Sequence, residues 1–287
     1  NAWSNMLLWT CARRSSSTSY IVMLGLGNGI PSGSLIEQAV LPTDLGDMVH
    51  YFKNKTGITI ENGVSAWADQ IGTADLAQTV DARKPAYNAT TGALNFAVAE
   101  TSANSNRLVF ASKQSFTGAF SLFFAVKLDG GTSDDFDATH GFTSGSTNGD
   151  TSKLNFYDAT ATLADTFWQM DFKSGSGSAS TVSLATNPDP LHSTKSLVVV
   201  TVSDTDGGTA KVYFGGNDSD SNTINLAQSA TLGGDKDFGI ILVGHNDESP
   251  VRQMNSQLFE WGAYSKELSL SQVQTLFAGI KARGLID

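Results

Sequence analysis

From residue 42 to its end the chain is a succession of short apolar segments cut apart by Gly-, Ser- and Asp-rich stretches. Residues 120–128, FSLFFAVKL, form an apolar run bounded by turn residues, which suits a buried strand. Residues 196–202 and 210–214 alternate or stay apolar on either side of Ser203-Asp204-Thr205-Asp206-Gly207-Gly208. That segment supplies the turn chemistry of a β-hairpin. Residues 238–244 and 257–264 read as further strands, and loops such as 129–152 and 173–181 carry the turn residues between them. Strands recurring between turns of this kind predict an all-β fold, a two-sheet antiparallel sandwich.

One good helix is expected, and it comes last. Ser269 or Ser271 can cap it, and Val273, Leu276, Phe277 and Ile280 fall on one face at the i, i+3, i+4, i+7 spacing. Lys281 and Arg283 suit the last turn, where the helix dipole favours cations, and Gly284 can end it.

Charge and cysteine content narrow the function. A net charge of −10, from 18 basic and 28 acidic residues, leaves no basic surface for nucleic acid phosphates. The single cysteine, Cys11, can form neither an internal disulfide nor a cysteine-based zinc site. No apolar run approaches the roughly 20 residues that a membrane span requires.

Residues 1–41 read differently from the rest. They mix large apolar side chains (Trp3, Trp9, Leu24, Leu26, Ile30) with the run Ser15–Ser19 and a Gly-rich opening, and no strand or helix period survives across them. Met6-Leu7-Leu8-Trp9 is too short for the apolar core of a secretion signal, and Met23 stands as an alternative start. The segment reads either as a floppy terminus or as an extended arm that orders on a neighbouring subunit, with those five apolar residues as its grip. The expected division is therefore an arm, 1–41, and one domain, 42–287.

The domain's two ends resemble a known family. Trp67-Ala68-Asp69-Gln70-Ile71-Gly72 fits a W-x-D-x-x-G turn, Arg83-Lys84-Pro85 an R-x-P, and Leu94-Asn95-Phe96 a strand ending in Phe. Near the other end, Tyr264 to Leu268-Ser269 fits a Y-x-x-x-L-S corner before a terminal helix. Together with the hairpin, these stretches resemble concanavalin A-like (laminin-G-like) domains over about residues 42–287. The resemblance implies a jelly-roll sandwich. It leaves function open, since lectins, glucanases, adhesion modules and viral coat components share the fold.

Catalytic motifs are missing. Retaining glucanases of this fold use Glu-x-Asp-x-Glu to place two carboxylates about 5–5.5 Å apart. The six glutamates here (Glu37, Glu61, Glu100, Glu248, Glu260, Glu267) include no pair four residues apart. His50, His140, His192 and His245 show no H-E-x-x-H spacing, and no G-x-S-x-G elbow occurs. The chain is read as non-enzymatic.

Binding chemistry has more candidates. Asp129 to Asp137, Asp204/Asp206 and Asp218/Asp220 gather hard oxygen donors of the kind calcium prefers, and the resemblance implies a rim calcium with Asp129 and Asp135 as its ligands. The same residues also suit plain solvated turns. Trp67 and Trp261 read as core anchors. A sugar site calls for an exposed aromatic to stack on a pyranose, and Trp168 and Tyr157 are the candidates.

An apolar-spiked arm feeding one jelly roll without a catalytic motif looks similar to structural proteins of tailed-phage particles. The expectation is a virion-surface protein, a head decoration or fibre. It would attach through its arm to the major capsid protein or another virion protein, and be displayed as a homo-oligomer. The alternative is a carbohydrate-binding adhesion module, calcium-dependent or not, that contacts host glycans.

Overall fold

The computed structural model describes residues 39–97, 106–128, 139–144, 152–158, 166–174, 179–185, 194–217, 220–232, 236–244 and 256–287. Its strands run in chain order from β1 (Met48–Phe52), β2 (Ile58–Ile60), β3 (Val64–Trp67) and β4 (Leu76–Ala77) to β5 (Ala86–Asn88) and β6 (Ala93–Phe96). The long strands β7 (Leu108–Phe116) and β8 (Phe120–Leu128) follow, then β9 (Thr139–Ser144), β10 (Lys153–Asp158), β11 (Thr166–Ser174) and β12 (Ala179–Ala185). The last five are β13 (Lys195–Val202), β14 (Thr209–Asn217), β15 (Asp220–Thr231), β16 (Lys236–Val243) and β17 (Ser256–Tyr264), and helix α1 (Leu270–Ala282) closes the fold.

The strands form two antiparallel sheets. Sheet A has the order β15-β14-β13-β8-β17-β6-β5, with β1 also pairing β17. Sheet B has the order β12-β11-β10-β9-β16-β7-β4-β3-β2. The expected hairpin is β13–β14, in register from Val202 opposite Ala210 to Leu197 opposite Gly215. This is the sandwich that the sequence predicts, with the one α-helix among the described residues at its end.

Between the sheets lies one core containing Phe52, Trp67, Phe110, Phe124, Val198, Val200, Phe238 and Trp261. Trp261 is fully buried and stacks against Phe52 at 4.7 Å and Phe124 at 5.9 Å between ring centroids. Trp67 is equally buried and donates its indole N–H to Lys53 O at 3.2 Å. Both tryptophans are core anchors, as their positions in the sequence imply.

A second apolar cluster forms on the outer side of sheet A. There Phe123, Leu197, Val199, Tyr213 and Phe259 meet Val273, Leu276, Phe277 and Ile280 of α1. Ser269 caps the helix by accepting from Gln272 N at 3.3 Å, while Gln272 Oε1 accepts from Ser269 N at 3.0 Å. This reciprocal pair is a capping box. Gly284 ends the helix at φ +70°, a left-handed conformation that glycine adopts without strain. The chain before β1 packs here too: Val40 O lies against Gly279, and Tyr264 donates its hydroxyl to Pro42 O at 2.9 Å. No helix among the described residues is long and apolar enough to cross a membrane.

Candidate functional site

Strand β4 is only two residues long and sits between β3 and β7. It pairs Ala77 with Ala66 on one side and with Val109 on the other. Leu76 and its partner Phe110 point into the core and are almost wholly buried. Ala77 and Val109 therefore face outward, because side chains alternate across a strand. Strand β7 then parts from β16: Ile240 pairs with Gln114 but Leu242 pairs with Val109, so four residues of β7 stand opposite one of β16. A bulge of this kind bends the strand and re-aims its side chains.

Small side chains and the bulge together leave a groove of about 760 Å³ on the outer face of sheet B. Ala74, Ala77, Val109 and Ala111 supply methyl groups, and Thr73, Asp75, Thr79, Ser112 and Gln114 supply polar ones. Several of its walls are fixed by hydrogen bonds. Asp75 Oδ1 accepts from Asp69 N at 2.9 Å, and Gln114 Nε2 donates to Ser112 O at 2.7 Å. Gln78 is buried, donating to Arg107 O and accepting from Val80 N, each at 3.0 Å.

Next to the groove, Asp69 ties the two sheets together. Its carboxylate accepts from Tyr51 N at 2.9 Å and Ile71 N at 3.0 Å, and Oδ2 lies 2.7 Å from His50 Nδ1. Burial alone would raise this carboxyl's pKa. The bonds from His50 and from the N–H groups of Tyr51, Ile71 and Gly72 outweigh burial and hold it below the usual carboxylate range. A side chain at Gly72 would start 2.6 Å from Asp69 Oδ2, so the last position of the W-x-D-x-x-G turn must be glycine. His50, read from the sequence as one of four scattered histidines, packs on Phe110 at 5.5 Å and Phe116 at 6.4 Å.

A second carboxylate is locked away on the helix side. Glu260 is fully buried in β17, and Arg283 at the C-cap of α1 reaches it with two bonds of 2.6 and 2.8 Å. Tyr51 Oη donates to Glu260 Oε1 at 3.0 Å and Asn54 N to Oε2 at 3.1 Å. Burial and the neighbouring Glu260 charge push the Tyr51 phenol above its ordinary range. Burial opposes the Arg283 charge, and its bonds to Glu260 more than restore it. Arg283 is thus a half-buried ion-pair partner of Glu260. With every acceptor position of Glu260 engaged, this network holds the helix in place and presents nothing to a ligand.

Tyr157 lies opposite Phe167 and Trp168 opposite Phe156 on the neighbouring strands β10 and β11, so the two positions alternate in the pleat. Strand β10 is three strands from β7, roughly 14 Å at the usual spacing. Their side chains lie outside the described part of the structure, as do Asp129 and Asp135 and the arm residues Trp3, Trp9, Leu24, Leu26 and Ile30. Asp204 Oδ1 accepts from Asp206 N at 3.0 Å, which closes the hairpin turn. Among the described residues no three His, Cys, Asp or Glu side chains cluster as metal ligands would. The groove was not anticipated, since a two-residue strand and a bulge leave no periodic trace in the sequence.

No protein-family model and no curated protein matches the sequence. Among solved structures, the chain resembles one of botulinum neurotoxin type C, which depends on two ganglioside molecules to enter cells, with a TM-score of 0.52 and 14% identity. The alignment covers 84% of this chain and 52% of that one. The binding domain of botulinum neurotoxin DC in complex with rat synaptotagmin II gives a TM-score of 0.52 at 11% identity, covering 83% of this chain and 52% of that one. The chain thus spans about half the length of the toxin domains it matches. The likeness is one of fold.

Proposed function

We propose that residues 39–287 form a carbohydrate-binding adhesion module, with the β4–β7 groove as the glycan site. The observation that carries this reading is the groove itself, open on the outer face of sheet B and lined by hydroxyl, amide and carboxylate groups around methyl groups. Sugars present the same mixture, hydroxyls at their edges and C–H groups on their faces. The volume of about 760 Å³ lies within the common range for ligand sites. The two carboxylates buried among the described residues, Asp69 and Glu260, are both committed to structural bonds, which favours binding over catalysis.

Attachment of the module to a virion surface, through an arm of residues 1–41 and as a homo-oligomer, rests on the sequence of that arm. A calcium ion held by Asp129 and Asp135 rests likewise on the sequence of their loop. The glycan reading is tested by filling the groove. Ala77→Trp places a large ring on an exposed outward position and leaves the core untouched. The wild-type domain is stabilised by a bound glycan by about 2.7 kcal/mol at one hundred times its Kd, measured as a thermal shift. The variant, still folded by circular dichroism, loses that stabilisation. A variant that keeps the full ligand-dependent shift places the glycan elsewhere.

A further inference from the structure

We infer that the groove selects uncharged oligosaccharides and discriminates against sialylated or sulfated ones, an inference that rests on the glycan reading above. The charge of the lining carries it. Asp75 is the one ionisable side chain among the described lining residues; the other polar ones are the hydroxyls of Thr73, Thr79 and Ser112 and the amides of Gln78 and Gln114. Gln78 spends both ends of its amide on backbone partners, which leaves the hydroxyls, Gln114 and Asp75 to meet a ligand.

Asp75 is an acceptor-only group held in place by the backbone N–H of Asp69. What it can accept from a sugar is a hydroxyl proton, in a charge-assisted bond stronger than one between neutral groups. A sialic acid carboxylate or a sulfate ester offers Asp75 no proton and sets like charge beside it. The cations nearest in sequence are occupied. Lys113 lies between Ser112 and Gln114, but its aliphatic stem lies over Gly239 of β16, and both Lys113 and Arg107 have interactions of their own. The net charge of −10 adds a repulsion that acts on every approaching anion.

The test is a printed array of neutral, sialylated and sulfated glycans probed with the whole chain, followed by titration of the best neutral binder and its sialylated or sulfated counterpart. The expected result is at least ten-fold tighter binding of the neutral member at low salt. Asp75→Asn keeps an oxygen for the Asp69 N–H and removes the charge, and it should weaken the neutral ligand about ten-fold while narrowing the gap between the pair. Its melting temperature is read alongside, to separate a loss of fold from a loss of binding. An anionic glycan bound as tightly as its neutral counterpart overturns the selectivity and leaves the glycan reading standing. Binding of no arrayed glycan, or full binding by the Ala77→Trp variant, overturns the reading itself and the inference with it.

Discussion

The outer faces of the two sheets were put to opposite uses. On sheet A, strands β8 and β13 are buried on both sides, and Phe123, Leu197 and Val199 point away from the sandwich core into a cluster roofed by α1. On sheet B, β7 alternates in its first half, and Ala111, Ser112 and Ser115 are left exposed. A helix can cover one face only. The face it covers becomes core, with large side chains and no choice of partner. At β4 and β7 the other face carries small or polar residues, Ala77, Ala111 and Ser112 among them, and there the groove opens. Residues 120–128 and 196–202 are apolar almost throughout because both of their faces must be dry.

The largest effect expected on the covered side comes from Arg283→Ala. It strands a fully buried Glu260 and should cost about 3–5 kcal/mol in urea or guanidinium unfolding. Replacing both partners by Leu and Met should cost far less than the single change. A loss below about 1 kcal/mol for Arg283→Ala would mean that the helix is held by apolar contact alone.

Leu276→Ala, on the buried face of α1, should cost about 2–5 kcal/mol. Ala111→Gln, on the open face, should stay within about 0.5 kcal/mol. Equal costs would erase the distinction between the two faces.

Asp69→Asn should cost about 1.5–3 kcal/mol at neutral pH, since a charged acceptor of several buried bonds is neutralised. Because the folded carboxyl titrates below its unfolded range, its contribution is fully present above about pH 4 and is lost as the pH falls through the lowered value. Urea midpoints of wild type and variant should therefore converge towards pH 3. A gap that stays constant from pH 7 to pH 3 would contradict the assignment. A smaller effect, about 1 kcal/mol, is expected for Gly284→Ala, which forces a side chain into the left-handed region at the end of α1.

How far the sequence reaches follows from how local each feature is. The cap at Ser269, the face from Val273 to Ile280 and the hairpin turn before Thr209 all depend on neighbours within a few residues, and each stands where its spacing places it. The glutamate inside LFEWGAY did carry a signal, since a charge in a strand this apolar must be paired. What no spacing reveals is that its partner is Arg283, on a helix, or that Tyr51 crosses from β1 to join them. The groove is harder still, because its outward pair (Ala77, Val109) comes from two strands far apart in the sequence and is defined by what the side chains lack.

The central claim is that the outer face of sheet B, at β4 and β7, is where this domain meets a glycan. Hydrogen exchange followed by mass spectrometry, with and without the best-binding oligosaccharide from the array, tests it most directly. Protection should rise in peptides spanning residues 73–79 and 108–116 and stay unchanged across α1. Protection confined to other segments, such as residues 153–174 around Tyr157 and Trp168, would contradict the claim and move the site across the sheet.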